Sequence, residues 1–315
     1  MRIVLLGKDG QVGSQLQRTL AAAGEVVPLG RAEADLSNAD ALGSVLRKLA
    51  PALIVNAAAY TQVDRAEDEP EMATRINRDA LAVIGAEAKK LGAGVVHYST
   101  DYVFDGGKAG AYVESDSTGP LNVYGRTKLE GEKALAASGA AYLVLRTSWV
   151  YAAQGNNFML RILELARSRE EIRVVTDQVG APTWSRMIAA GTAAILATLK
   201  SGDLIAKLRE RQGVYHLSAA GSTSWFGFAE AIVEEFRRAQ GNPSLAVRRI
   251  TPIASAEFPT RACRPANSVL ANDKVRKTFG VELPGWREQL GSVMRQVCGA
   301  VDTSAERIIV ANANN

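Results

Sequence analysis

Ile3-Val4-Leu5-Leu6-Gly7-Lys8-Asp9-Gly10-Gln11-Val12-Gly13 is the stretch on which the fold of this 315-residue chain turns. Its first four residues form a short continuous apolar run, the pattern of a strand buried on both faces. Gly7, Gly10 and Gly13 follow as Gly-x-x-Gly-x-x-Gly, a spacing that differs from the usual Gly-x-Gly-x-x-Gly. Val12, Leu16 and Leu20 then recur at helical spacing up to Gly24, a helix stop. Strand, glycine turn and helix open a dinucleotide-binding unit. Glycine lets the backbone turn tightly and approach a diphosphate. The helix N-terminus offers it free N–H groups and a positive dipole end. Outside this context, three spaced glycines are equally consistent with a purely structural turn.

The same rhythm continues. Glu25–Leu29 reads as a second strand, and a helix fits Ala39–Leu49, ended by Pro51. Leu53-Ile54-Val55 is a third buried strand running into Asn56-Ala57-Ala58-Ala59. Residues 71–91 are helical in pattern, Val95–Tyr98 is a fourth strand and Tyr142–Leu145 the next. Strands alternating with helices of this length give a parallel sheet with helices on both faces. The expected class is therefore α/β, a Rossmann-type doubly wound sheet over residues 1–150, with later segments returning to it. After about residue 150 the rhythm changes. Helices fit Phe158–Arg167, Ser185–Leu199, Trp225–Ala239 and Trp286–Val297, and short strands fit Ile172–Val175, Val214–Leu217 and Val247–Ile250. Residues 151–300 read as a smaller α/β substrate lobe over the ligand edge of the sheet. The tail from about Asp302, ending Ala-Asn-Ala-Asn-Asn, reads as disordered.

Composition narrows the function. The net charge of +4 is small for this length and hints at anionic ligands. No basic stretch is interleaved with aromatics, which argues against nucleic acid. Two cysteines without metal-like spacing suit a reducing compartment, and two histidines exclude a histidine-rich metal site. There is no signal-peptide pattern and no stretch near the ~18 apolar residues of a membrane span. The expectation is a cytoplasmic protein without membrane partners.

Candidate chemistry sits between residues 96 and 128. Tyr124 and Lys128, as Tyr-x-x-x-Lys, share one face of a helix. A free tyrosine titrates near ~10, and a cation beside it pulls that value toward working pH. Tyr124 would then serve as an acid or base. The bland alternative is a solvated helix face. Ser99-Thr100-Asp101 ends the fourth strand, where a hydroxyl could donate to a substrate carbonyl or its developing alkoxide; Ser-Thr-Asp also favours a plain cap or turn. Ala57-Ala58-Ala59, at another strand end, is too small to block a ligand. Asp35-Leu36 falls 22 residues beyond Gly13, where an acid often holds an adenosine ribose; Asp35 fits an adenine contact or a cap on the helix near Asn38 equally well. Arg31, just past the second strand, is placed to meet a ribose 2′-phosphate or to be a solvated loop residue. No acid stands at 30 or 31, so NADPH is expected to be favoured, with NADH accepted more weakly. No serine has a companion histidine, which argues against a hydrolase.

Gly7-x-x-Gly10-x-x-Gly13, the strand-end Ser99-Thr100 and Tyr124-x-x-x-Lys128 together resemble an extended short-chain dehydrogenase/reductase. Longer stretches narrow the resemblance: Val-Asn-Ala-Ala-Ala-Tyr-Thr-Gln-Val-Asp (55–64), His-Tyr-Ser-Thr-Asp-Tyr-Val-Phe-Asp-Gly (97–106), Pro-Leu-Asn-Val-Tyr-Gly-Arg-Thr-Lys (120–128), Leu-Arg-Thr-Ser-Trp-Val-Tyr (145–151), Asp-Gln-Val-Gly-Ala-Pro-Thr (177–183) and Arg-Pro-Ala-Asn-Ser (264–268). Over about residues 1–297 the chain is similar to the dTDP-4-dehydrorhamnose reductase family. That family performs the last step of dTDP-L-rhamnose synthesis, which feeds cell-wall polysaccharide and lipopolysaccharide O-antigen. The resemblance implies that Gly10, Gln11 and Val12 cradle the diphosphate, that Asp35 and Leu36 flank adenine, and that Ala59, Tyr60 and Thr61 line the cofactor cleft. It places Tyr98 near the nicotinamide and Lys128 on its ribose. It gives Thr100, Asp101, Tyr124 and Trp149 to the nucleotide sugar, with Tyr124 protonating the alkoxide that hydride transfer creates.

Some family members dimerise through a magnesium ion held by glutamates. Gln15 and Arg186 stand at two of the matching positions here, and an amide and a cation are poor ligands for a hard ion. A monomer or a metal-independent dimer is expected. Two rival readings keep the fold: a non-catalytic subunit resembling the methionine adenosyltransferase beta type, and a ketoreductase of the opposite face giving dTDP-6-deoxy-L-talose.

Overall fold

Strand β1 (Arg2–Leu6) sends alternate side chains into two different cores. Ile3 and Leu5 enter one, and Val4 and Leu6 the other. β3 (Leu53–Asn56), β4 (Gly94–Thr100) and β5 (Ala141–Thr147) do the same. A strand with apolar neighbours on both sides needs a continuous apolar run, which is why Ile3–Leu6, Leu53–Val55 and Leu143–Leu145 show no polar alternation; the polar residues of β3, β4 and β5 gather toward their carboxyl ends. With β2 (Glu25–Leu29) and Gly213–His216 they form one parallel sheet, ordered Gly213–His216, β5, β4, β3, β1, β2. The computed structural model describes residues 1–200, 202–241 and 243–299, and the backbone of Ile309–Val310. The expected tail falls outside the described residues, apart from Ile309–Val310, which pairs antiparallel with Val281–Glu282.

The chain runs from β1 outward to β2, then crosses back to β3 on the other side of β1. This reversal opens a crevice at the carboxyl ends of β1 and β3, the place where doubly wound folds bind ligands. The core holding Ile3 and Leu5 continues without a break into Met159, Trp184, Phe228 and Leu290. Helix Ser185–Leu199 packs on helix Gln11–Thr19. Residues beyond 150 thus share a core with the sheet, and Asn156 and Trp225 among them line the same cleft as the glycine turn.

Two segments differ from the sequence reading. Residues 71–91 are not one regular helix: Pro70–Thr74 passes through a π turn at Arg75–Asp79 into Ala80–Leu91. Buried Asn77 lies in that turn. It accepts from the Tyr60 N–H and donates to the Tyr60 carbonyl and to Thr127 Oγ1, so the extra residue aims its amide at two other elements. The strand expected at Val247–Ile250 runs instead from Arg249 to Ile253, parallel to Glu171–Val175. Pro252 is tolerated there because this small sheet has only two strands, both edges.

Candidate active site

A cleft of about 1400 Å³ lies at the carboxyl edge of the sheet. That exceeds the usual volume for one small ligand, ~300–1000 Å³, and suits two. Of the residues nominated from sequence, all but Gly13 line it.

The three glycines have different reasons. Gly7 has φ +84°, and a Cβ there would come within 2.7 Å of Ala58 N. A Cβ on Gly13 would collide with the Gly7 carbonyl. Both are required by the fold. Gly10 has room for a side chain, with nothing nearer than 3.4 Å. Its bareness leaves space in the cleft beside helix Gln11–Thr19, whose first turn has no side-chain cap. An uncapped helix start facing an open cradle fits a diphosphate. Asn157 donates to Gln11 Oε1 at 3.1 Å, tying this turn to the far half of the chain.

At the end of β2 the charges are mixed. Lys8 Nζ lies 2.6 Å from Glu33 Oε1, and the Gly30 N–H donates to Glu33 Oε2 at 2.8 Å. These bonds hold Glu33 below the ordinary carboxylate range. Arg31 is 78% exposed, with Asp35 at 4.0 Å. Asp35 accepts from the Ser37 N–H and hydroxyl, which lower its pKa. It is not the helix cap. Asn38 caps Ala39–Leu49 by accepting from the Ala41 N–H.

The reactive group lies between β4 and helix Val123–Ala137. Asn122 caps that helix by accepting from the Gly125 N–H at 2.8 Å, which sets Tyr124 and Lys128 on its inner face. Thr100 Oγ1 donates to Asp101 Oδ1, and Ser148 Oγ to Asp101 Oδ2, each at 2.8 Å. The Tyr102 N–H donates back to Thr100 Oγ1 at 3.1 Å. Thr100 thus spends its one proton on Asp101 and is not free to polarise a carbonyl while that bond stands. Burial pushes Asp101 up to about 6, against the bonds from Ser268, Ser148 and Thr100.

Tyr124 does not carry the lowered pKa expected from its lysine neighbour. Burial pushes it up to about 12, opposed by Thr100 and reinforced by the Asp101 charge. A phenol with that preference is a proton donor at neutral pH, not a standing base. Lys128 Nζ is 2.6 Å from the Tyr98 carbonyl and 3.1 Å from His97 Nε2. Burial lowers it to about 7, against the nearby Glu132 charge. The Tyr98 hydroxyl is turned away to Thr192, at 2.7 Å.

Trp149 has φ +46°, a left-handed conformation strained for tryptophan. Its indole stacks on Trp225, centroids 3.5 Å apart and planes at 2°. Its Nε1 donates to Ser268 Oγ at 3.2 Å. Gly180 makes room, because a Cβ there would strike the ring. Trp225, Ser148 and Ser268 were not nominated from sequence as site residues. Ser268 closes the Arg-Pro-Ala-Asn-Ser stretch, the one signal that pointed to it. Gln15 lies on helix Gln11–Thr19, and the Arg186 guanidinium rests over the Trp184 ring. Among the described residues no cluster of three or more His, Cys, Asp or Glu side chains could hold a metal ion.

Residues 1–298 match the family described as RmlD substrate binding domain. The chain belongs to this family. A relative from Burkholderia thailandensis named dTDP-4-dehydrorhamnose reductase is 48% identical over 303 residues, covering 94% of this chain and 99% of its own. The crystal structure of a dTDP-4-dehydrorhamnose reductase from Clostridium acetobutylicum superposes with a TM-score of 0.85 at 33% identity, over 94% of this chain and 99% of that one. The Bacillus anthracis reductase, solved in complex with NADP, gives 0.82 at 33% identity, with the same coverage of each chain. Among the described residues no single helix is long and apolar enough to cross a membrane.

Proposed function

We propose that this RmlD-family chain reduces the C4 keto group of dTDP-4-dehydro-β-L-rhamnose with NADPH, or more weakly NADH, to give dTDP-L-rhamnose. The observation that carries the reading is the convergence of Tyr124, Lys128 and Thr100 with the Gly10 cradle in one cleft large enough for two ligands. When bound, a reduced nicotinamide supplies the hydride that C4 accepts. Gly10, Gln11 and Val12 would hold its diphosphate, Asp35 and Leu36 its adenine side, Ala59, Tyr60 and Thr61 the cleft wall, and Tyr98 and Lys128 the nicotinamide end. Tyr124 gives its phenolic proton to O4 as the carbonyl becomes an alkoxide. Its raised proton affinity keeps that proton in place until charge develops. Thr100 orients the phenol and, once released from Asp101, bonds the oxygen. Asp101 and Trp149 position the sugar.

In this reading residues 1–150 carry the cofactor and 151–300 the sugar side, in the cytoplasm. Gln15 and Arg186 offer no carboxylate, so assembly would be monomeric or independent of metal. Three intact reactive groups in one cleft argue against a purely regulatory subunit. The test is incubation with the dTDP-4-keto-6-deoxy-L-sugar and NADPH. Loss of nicotinamide absorbance with L-rhamno product supports the reading. An L-talo product, or no turnover, overturns it.

A further inference from the structure

Asn157 opens helix Phe158–Ser168 in the far half of the chain, yet it reaches the glycine turn, 146 residues away. The contacts of its amide fix which end is which. Its Oδ1 accepts from the Leu160 N–H at 3.1 Å and so caps the helix. Its Nδ2 faces the carbonyls of Ala152 at 3.0 Å and Gln154 at 3.3 Å, and Gln11 Oε1 at 3.1 Å. Turned over, the amide would set an N–H against the Leu160 N–H and an oxygen against two main-chain carbonyls. None of those three groups can change role. Nδ2 is therefore the donor, and what it meets on Gln11 must be the oxygen.

We infer that Asn157 is a positioning residue of the cofactor site: by holding Gln11 Oε1, it leaves the N–H donors of Gln11 Nε2 to face the diphosphate. Gln11 lines the cleft as the first residue of helix Gln11–Thr19. Its Nε2 has no partner among the described residues and is not sealed off. A diphosphate oxygen only accepts, so a glutamine attracts it with one end of the amide and repels it with the other. The two ends have nearly the same shape, and the walls of a cleft do not choose between them. Asn157 supplies the choice. The uncapped N–H groups of the first helical turn then gain a side-chain donor beside them. The inference rests on the reading of the cleft as a dinucleotide site, not on the sugar chemistry. It carries one part of cofactor recognition beyond residue 150, into the half read as the sugar side.

The test is the NADPH dissociation constant, by titration calorimetry, of the unchanged chain, Gln11→Ala, Asn157→Asp and the double variant. Aspartate keeps the cap on Leu160, being as good an N-cap as asparagine. It replaces the donor facing Gln11 by an oxygen, so Gln11 turns over and presents its own oxygen to the diphosphate. The aspartate's added charge is common to both members of that pair and cancels in the comparison. In the unchanged background Gln11→Ala loses a donor to a charged group and should raise the dissociation constant about tenfold. In the Asn157→Asp background the same change removes an opposing oxygen, and the constant should stay level or fall. Asn157→Ser caps the helix but is too short to reach Gln11. There the rise caused by Gln11→Ala should shrink below about threefold. An asparagine that only caps its helix would change the melting temperature and leave the Gln11 contribution as it was. Equal effects of Gln11→Ala in all three backgrounds, large or absent, therefore overturn the inference alone. Failure of the unchanged protein to bind NADPH overturns the cofactor reading and the inference with it.

Discussion

Trp149 and Trp225 lie face to face, 3.5 Å between centroids and 2° from coplanar, at the mouth of the cleft. Trp149 reaches this position only through a positive φ, so something must offset the backbone cost, which is of order ~1–3 kcal/mol. The stack and the bond to Ser268 do so. Aromatic pairs contribute ~0.5–1.5 kcal/mol beyond their buried area, about two- to tenfold in an equilibrium constant. Trp225→Leu should raise KM for the nucleotide sugar by that factor and leave KM for NADPH unchanged. The near-ultraviolet circular dichroism of the stacked pair should vanish with it. Equal changes in both Michaelis constants would show that Trp225 supports the fold, not the sugar platform.

Tyr124→Phe removes the only proton donor proposed for O4. The loss should be ~100- to 10,000-fold in kcat, as for other general acids. The hydroxyl does not hold the cofactor turn, so the NADPH dissociation constant should stay near wild type. Turnover within about threefold of wild type would remove Tyr124 from its role.

Lys128→Met should act on two measurements together. Lys128 lines the cleft beside Tyr98 and bonds its carbonyl, so both turnover and NADPH affinity should fall. An unchanged dissociation constant would mean that the lysine serves Tyr124 alone.

What the sequence made legible was what depends on neighbours in the chain. The apolar run of β1, the glycine turn and the small residues after Asn56 each carry their own pattern, and each lies where that pattern put it. The Tyr124–Lys128 face followed from helix geometry alone. Burial was not legible, and it reverses the expected direction of the Tyr124 pKa: four residues of spacing say nothing about how much water is removed. Residues joined by tertiary contact also left no pattern. Ser268 meets Trp149 across 119 residues, and Trp225 looks like any aromatic at a helix start. The Asn77 π turn was hidden because its cause lies in Tyr60 and Thr127.

Asp101 gives a pH dependence with a definite sign. Its folded pKa, about 6, is above the ordinary carboxylate value of 3.8 because it is buried. The folded state then holds a proton that the unfolded chain has released. Stability from this group is full below the unfolded value and is lost as pH rises through about 6. Asp101→Asn cannot ionise; its carbonyl oxygen still accepts from one of the Thr100 and Ser148 hydroxyls, and its amide N–H donates to the other. The fall in Tm between about pH 4 and about pH 6 should be shallower in the variant. A parallel decline in both proteins would mean that Asp101 ionises in the folded state as readily as in the unfolded one.

On the proposed reading cofactor choice falls to the end of β2, where Lys8 and Arg31 stand among three carboxylates, Asp9, Glu33 and Asp35. Arg31 is exposed and barely held by Asp35 at 4.0 Å, so its guanidinium is free to turn toward a 2′-phosphate bidentately. Such a bond is worth roughly 1.5–3 kcal/mol, which permits a preference of about ten- to a hundredfold. Glu33 opposes it. Its carboxylate is drawn in by the Gly30 N–H and occupies Lys8, placing negative charge where the phosphate would come. Arg31→Ala should raise KM for NADPH and leave that for NADH almost unchanged. Glu33→Gln should do the reverse for NADPH: it removes a repelling charge, loosens Lys8 and lowers KM for NADPH, while NADH gains nothing. If Arg31→Ala weakened both cofactors equally, the arginine would be supporting the loop, and the selectivity would have to come from Lys8.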